Sequence, residues 1–265
     1  MNPRAGSFNI IFSLLGSLVL VFLVAPVAGM VLHTSMPELA SAFGDAEVRA
    51  SIRLTLLASL AGTLALSVFA IPLAYLLARK NFPLKSLVIG AINLPVVIPH
   101  SSAGVALLGI MSRDTFIGRA GEGLGISFVG NPLAIAIAMA FVSLPFLVVS
   151  AVDAFGLVPV RLEKAALSLG AGAWRVFFTI SLPLAIRPIV SGLVLMWTRG
   201  LSEFGAVLIV AYHPMVTPVL VFERFNTFGL AHARSVATAF ILVTLALLLA
   251  VKLFMRFFRA PTQER

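Results

Sequence analysis

Leu162-Glu-Lys-Ala-Ala-Leu-Ser-Leu-Gly170 and, nine residues later, Ile180-Ser-Leu-Pro183 form a charged, helix-patterned island in a nearly all-apolar chain. Only 11% of the 265 residues are charged and 60% are hydrophobic. Soluble domains carry about 25% and 45–50% respectively. Long apolar runs flank the island on both sides, so the chain reads as an all-α, polytopic membrane protein. Apolar helices of that kind need only short connections. A connection of about thirty residues with its own helical pattern suggests a docking surface for another protein.

Six spans are legible: 8–32, 54–78, 87–111, 132–152, 184–212 and 236–258. The first is roughly 38 Å long as a helix, enough to cross with tilt. It is also longer than a signal-peptide core, so it reads as a retained span. Lys and Arg set the orientation. With the N-terminus inside, the inner segments hold Arg4; Arg79, Lys80 and Lys85; Arg161, Lys164, Arg175 and Arg187; and Lys252, Arg256, Arg259 and Arg265. The outer segments hold Arg49, Arg53, Arg113, Arg119, Arg224 and Arg234, about half as many. Both termini and the 153–183 segment are then expected in the cytoplasm. The net charge of +9 is thus a topology signal rather than a nucleic-acid footprint. No domain boundary or internal repeat is visible, so residues 1–265 read as a single transmembrane domain.

Within the island, Pro159 suits a helix start. Leu162, Ala165, Ala166 and Leu169 share one face at helical spacing, and Gly170 suits a left-handed helix end. A second short helix from Gly172 carries Trp174, Phe177 and Phe178. Two helices joined at a glycine make an L-shaped element, and alanines on its face allow close approach. The same pattern also fits an interfacial helix lying on lipid.

Two other stretches combine polarity with apolar surroundings. Asn93-Leu-Pro-Val-Val-Ile-Pro-His-Ser-Ser102 places two prolines among polar side chains. That fits either a packing kink or a broken helix lining a pathway. Arg199 and Glu203 stand four apart in Trp197-Thr-Arg-Gly-Leu-Ser-Glu-Phe-Gly205. An ionised residue at mid-membrane costs about 2.5–3.5 kcal/mol on insertion scales. The two therefore form either a structural ion pair or a pathway lining in which Arg199 attracts an anion and Glu203 restrains it.

The chain has no cysteine, and its histidines (His33, His100, His213, His232) lack metal-binding spacing. No catalytic constellation is visible. No Gly-x4-Gly-Lys-[Ser/Thr] loop exists; the glycine-rich 118–125 stretch lacks the Lys. The chain is therefore expected to bind no metal or nucleotide cofactor of its own.

The island resembles the coupling motif of type I ABC importer permeases, Glu-Ala-Ala-x3-Gly-x9-Ile-x-Leu-Pro. Ala165, Ala166, Gly170, Ile180, Leu182 and Pro183 match at its spacing. One departure stands out: Lys164 holds the position of the family's Glu, and Glu163 immediately precedes it. The words at 94–100 and 199–206 are similar to the molybdate/tungstate branch, with sulfate/thiosulfate permeases next. The resemblance covers essentially the whole chain.

It implies a prokaryotic cell-membrane permease that imports an oxyanion, with Glu163, Lys164, Ala165, Ala166, Leu169 and Gly170 coupling to an ATPase. Implied partners are a second permease copy, two cytoplasmic ABC ATPase subunits carrying ATP and Mg, and an extracytoplasmic oxyanion-binding protein. Asn93, His100, Ser101, Ser102, Arg199 and Glu203 are the pathway candidates. An ion-coupled secondary transporter is the contrasting reading. It would want repeated halves and ionisable residues in several spans.

Overall fold

A computed structural model describes residues 3–257 except 124, with side chains described from Phe8 to Leu253. Arg259, Arg265 and Phe258 lie outside the described residues, as do the side chains of Arg4 and Arg256. The helices are α1 (Pro3–Leu32), α2 (Met36–Gly44), α3 (Ala46–Arg79), α4 (Lys85–Val97), α5 (His100–Met111), α6 (Phe116–Gly123) and α7 (Pro132–Leu157). There follow α8 (Val160–Ser168), α9 (Ala173–Val176), a π-helical turn (Phe177–Ser181), α10 (Leu182–Leu201), α11 (Gly205–Val210), α12 (Thr217–Phe228) and α13 (Leu230–Phe257). No strand occurs among the described residues.

Five helical stretches are long and apolar enough to cross a membrane, or six if one bent pair counts as a span. That matches the six expected spans in number but not in form. The expected third span, 87–111, is two helices, α4 and α5, bent by 113°. Neither is long enough to cross about 30 Å at 1.5 Å per residue. Pro99 explains the break. It has no N–H to donate, and its ring forces the preceding Ile98 into extended backbone (φ −74°, ψ 148°).

The expected fifth span, 184–212, is also corrected. Helix begins at Ala173 and runs through the π turn into α10, ending at Leu201. Residues 202–204 are a break, and α11 follows. Segments between the expected spans also hold helices: α2 within 33–53, α6 within 112–131 and α12 within 213–233. α7 reaches Leu157, five residues beyond its expected end, and starts where Asn131 Oδ1 accepts from Leu133 and Ala134 N–H.

The chain divides into two compact units, 50–219 and the remainder. In the first, α7 is the most buried span. Its Ile135, Met139, Leu147 and Phe155 pack with Leu107, Val207, Leu77 and Ile189. Small residues let helices approach. A Cβ on Gly62 would sit 2.5 Å from Ala136 O, and one on Gly192 would sit 2.7 Å from Ser150 Cβ. α3 buries a hydroxyl every fourth residue: Ser51, Thr55, Ser59, Thr63 and Ser67. In an apolar setting such groups glue helices. Thr55 Oγ1 accepts from Thr217 N–H at 2.8 Å, and Ser59 Oγ donates to Trp197 O at 2.7 Å.

In the other unit, Ser35 and Glu38 form a capping box at the start of α2. The Ser35 backbone N–H, then its hydroxyl, hold the Glu38 carboxyl below its ordinary range. Its depressed pKa means the cap is intact at neutral pH and fades as pH falls through that value. Arg224 bridges Asp45 (2.9 Å) and Glu47 (2.6 Å). None of the apolar window of α1 is buried.

Candidate functional site: a braced helical corner and a buried ion cluster

The island forms the L expected of it. Pro159 caps α8, and Gly170 takes φ +85° at its end. Ala171 N–H donates to Ala166 O and Gly170 N–H to Leu167 O, both at 3.0 Å, the paired bonds of a Schellman end. Gly172 then starts α9. The outward side carries the predicted apolar stripe: Leu162, Ala165 and Leu169 are exposed, Leu169 at 88%, and Ala166 is half-buried. Lys164 is exposed beside them, and Trp174 follows at 78% exposure, stacked on Phe178.

Glu163 lies on the other side. It is only 6% exposed. Its Oε1 accepts from Arg79 Nε (3.0 Å), Arg79 Nη2 (2.9 Å) and Ser181 Oγ (2.7 Å). Arg79 Nη2 also donates to Val158 O at 2.9 Å. The carboxylate thus joins the end of α3, the start of α8 and the end of the π turn. The sequence reading missed Arg79 and Ser181 as partners. The only sequence signal was an arginine closing a span beside a carboxylate one residue off the motif.

The second site sits where the two broken helices meet. Gly104 and Gly205 make that meeting possible. A Cβ on Gly104 would lie 2.9 Å from Ala206 Cα and O, and one on Gly205 2.9 Å from His100 Cβ. Arg199 lies in the last turn of α10, Glu203 lies in the 202–204 break, and His100 opens α5. Glu203 is 1% exposed; its Oε1 accepts from Ala206 N–H at 2.9 Å, capping the first turn of α11.

Glu203 Oε2 has no aligned hydrogen bond; His100 Nδ1 stands 3.0 Å and Arg199 Nη1 3.6 Å away. Arg199 Nη2 lies 3.0 Å from His100 Nε2. The same Nη2 lies 3.3 Å from His100 Nδ1, and since a guanidinium can only donate, the imidazole nitrogen that bonds it accepts. The Arg199 charge faces a carboxylate oxygen at 3.6 Å rather than a two-pronged pair. Arg199 Nη1 also donates to Ser202 Oγ at 3.1 Å.

The remaining pathway candidates are placed differently. Asn93 spends its amide on Ile89 O of its own helix at 2.8 Å. Ser101 and Ser102 are exposed on the first turn of α5. Arg199 and Glu203 do not pair along one continuous helix as their spacing suggested, because the helix ends between them. Among the described residues no group of three His, Asp or Glu side chains is placed to hold a metal ion.

Residues 70–261 match the family described as binding-protein-dependent transport system inner membrane component. The chain belongs to that family. It is a multi-pass membrane permease subunit, and its described fold agrees with that of solved importers. A bacterial ABC transporter that imports the acidic polysaccharide alginate superposes with a TM-score of 0.71 at 16% identity, covering 97% of this chain and 98% of that one. The molybdate/tungstate transport system permease protein WtpB of Thermococcus kodakarensis is 37% identical over 244 residues, 91% of this chain and 94% of that protein. The molybdenum transport system permease protein ModB of Haemophilus influenzae is 39% identical over 188 residues, covering 68% and 82%. A probable sulfate transport system permease protein, cysT, of Chlorokybus atmophyticus is 35% identical over 201 residues, covering 74% and 70%.

Proposed function

We propose that this permease is the transmembrane subunit of an ATP-driven importer that receives an oxyanion, molybdate or tungstate, from an external binding protein. The observation that carries it is the exposed face of the α8–α9 corner. Leu162, Ala165, Leu169 and Trp174 present an apolar and small-residue surface on a rigid L, suited to a groove on a partner. The substrate rests on the near full-length likeness to the molybdate/tungstate permeases. The sulfate permeases among the relatives make sulfate the second reading.

In this reading the 153–183 segment and both termini are cytoplasmic. Two ABC ATPase subunits dock there, and ATP and Mg sit on them rather than on this chain. Lys164, Ala165, Ala166, Leu169 and Gly170 form the docking face, with Glu163 behind it. A second copy completes the membrane part, and α1 has a whole unburied surface to offer it or lipid.

The pathway passes the ion cluster, where Arg199 and His100 meet the anion and Glu203 restrains it. Exposed Ser101 and Ser102 add neutral donors, and Asn93 lies further along α4. Weak contacts of this kind suit passage better than a tight site.

Reconstituted with its ATPase and binding protein, the permease is expected to accumulate molybdate or tungstate in preference to sulfate. Arg199→Ala is expected to cut that uptake about tenfold, equal to ~1.4 kcal/mol. That is modest against the ~1.5–3 kcal/mol of one charged hydrogen bond. Unchanged uptake by an assembled Arg199→Ala complex leaves Arg199 a purely structural role, and preferential sulfate uptake overturns the substrate assignment.

A further inference from the structure

The buried Glu163 carboxylate has a consequence for how movement enters the membrane. α8 and α9 meet at Gly170-Ala-Gly172, a corner whose glycines leave the backbone loose; Gly170 is already at φ +85°. Unaided, α8 would swing about that corner and a push on it would dissipate. Glu163 closes the corner. Its Oε1 takes Ser181 Oγ from the far limb of the L and both Arg79 nitrogens from the end of α3. Side-chain exposures of 10% and 8% keep the Arg79–Glu163 pair out of water. A second tie backs it: the Tyr75 ring of α3 packs edge-on against Phe177 of the π turn at 5.0 Å and Phe155 of α7 at 5.2 Å.

α3 then runs about 30 Å from Arg79 to Ser59 at 1.5 Å per residue, with helical backbone unbroken through Pro72. At Ser59 it is pinned again. Ser59 Oγ donates to Trp197 O at 2.7 Å, and Trp197 Nε1 donates back to Leu56 O at 3.3 Å. A side chain on Gly200 would collide with Ser59 Oγ, so the helices touch there backbone to side chain. Trp197 is two residues before Arg199 and the ion cluster. α10 connects the same two ends covalently. α3 and α10 are therefore tied at both ends.

We infer that Glu163, held by Arg79 and Ser181, is the joint that locks the α8–α9 corner to the α3–α10 pair, so that displacement of α8 reaches the Arg199–His100–Glu203 cluster. Glu163 acts as a positioning residue, transmitting through α3 rather than touching a partner. This rests on the docking reading above.

The chain has two tryptophans, one at each end of this route: Trp174 on the docking face and Trp197 at the far pin. Fluorotryptophan placed in this chain alone gives two 19F signals, told apart with Trp174→Phe. The complex is reconstituted with unlabelled ATPase and binding protein, and the signals are followed on adding ATP, alongside oxyanion moved per ATP hydrolysed. In the wild type both signals should shift. In Glu163→Gln, Trp174 should still shift, Trp197 should not, and transport per ATP should fall at least about fivefold, within the range for residues that carry coupling without touching a ligand. Ser181→Ala, which removes one bond and keeps the ion pair, should lose less than Glu163→Gln.

A Trp197 shift and a transport ratio equal to wild type in an assembled variant would overturn the joint. Release of the ATPase by Glu163→Gln would put the carboxylate in the docking contact and overturn it as well. A wild-type Trp174 signal that ignores ATP would overturn the docking reading itself, and the joint with it.

Discussion

Glu203→Ala is expected to destabilise the solubilised permease by about 3–5 kcal/mol, the cost of breaking a buried ion pair by removing one partner. The magnitude follows from what the carboxylate does. It is 1% exposed, stands 3.0 Å from His100 Nδ1 and 3.6 Å from Arg199 Nη1, and caps α11 through Ala206 N–H. Alanine leaves the Arg199 guanidinium facing no anion in a mostly apolar setting, and uncaps the short helix. Glu203→Gln separates the two effects. Its carbonyl oxygen still accepts from Ala206, while the charge is gone. It should recover about 1 kcal/mol, a typical cap, and no more. Denaturant titration in mixed micelles reads both. A Glu203→Ala variant within ~1 kcal/mol of wild type would mean that the cluster is not held by charge.

Ala165→Trp should release the partner ATPase while leaving the permease folded. Ala165 is exposed at the centre of the stripe made with Leu162 and Leu169, so an indole there meets no neighbour within the chain. In the proposed docking contact, where the face presents a methyl group, it prevents closure. A well-packed contact at the centre of an interface is worth ~2 kcal/mol or more, so affinity should fall about 30-fold or further.

Gly170→Val attacks the same face by a different route. At φ +85° a β-branched residue costs about 1–2 kcal/mol, and the Schellman end opens, swinging α9 and Trp174 away from α8. Binding of the ATPase to the permease in lipid nanodiscs measures both. Retention of wild-type affinity by both variants would remove the corner from the docking contact.

The spans and the L-shaped corner were legible because hydropathy and helical spacing are local properties. Spacing puts Leu162, Ala165, Ala166 and Leu169 on one face, and all but the half-buried Ala166 are exposed. The inward turn of Glu163 was not legible. A helical wheel reports which residues share a side, not what lies under that side. The partners Arg79 and Ser181 stand 84 and 18 residues away.

The breaks divide in the same way. Pro99 announced the first, since proline restricts the residue before it. No proline marks residues 202–204, and a run of apolar residues on both sides made 184–212 look continuous. Its end at Leu201 is set by Glu203 and Gly205 meeting α5, a contact across a hundred residues. His100 belonged to the candidate pathway on polarity alone; only the fold brings it between Arg199 and Glu203. Asn93 sounded the same in sequence, yet its amide is spent on its own helix at Ile89 O.

The most direct test of the central claim is oxyanion uptake into proteoliposomes holding the permease, with the ATPase, MgATP and the binding protein each present or withheld. Molybdate or tungstate should accumulate only when all three are supplied, with no response to an imposed proton or sodium gradient. Gradient-driven uptake by the permease alone, without the ATPase, would contradict it.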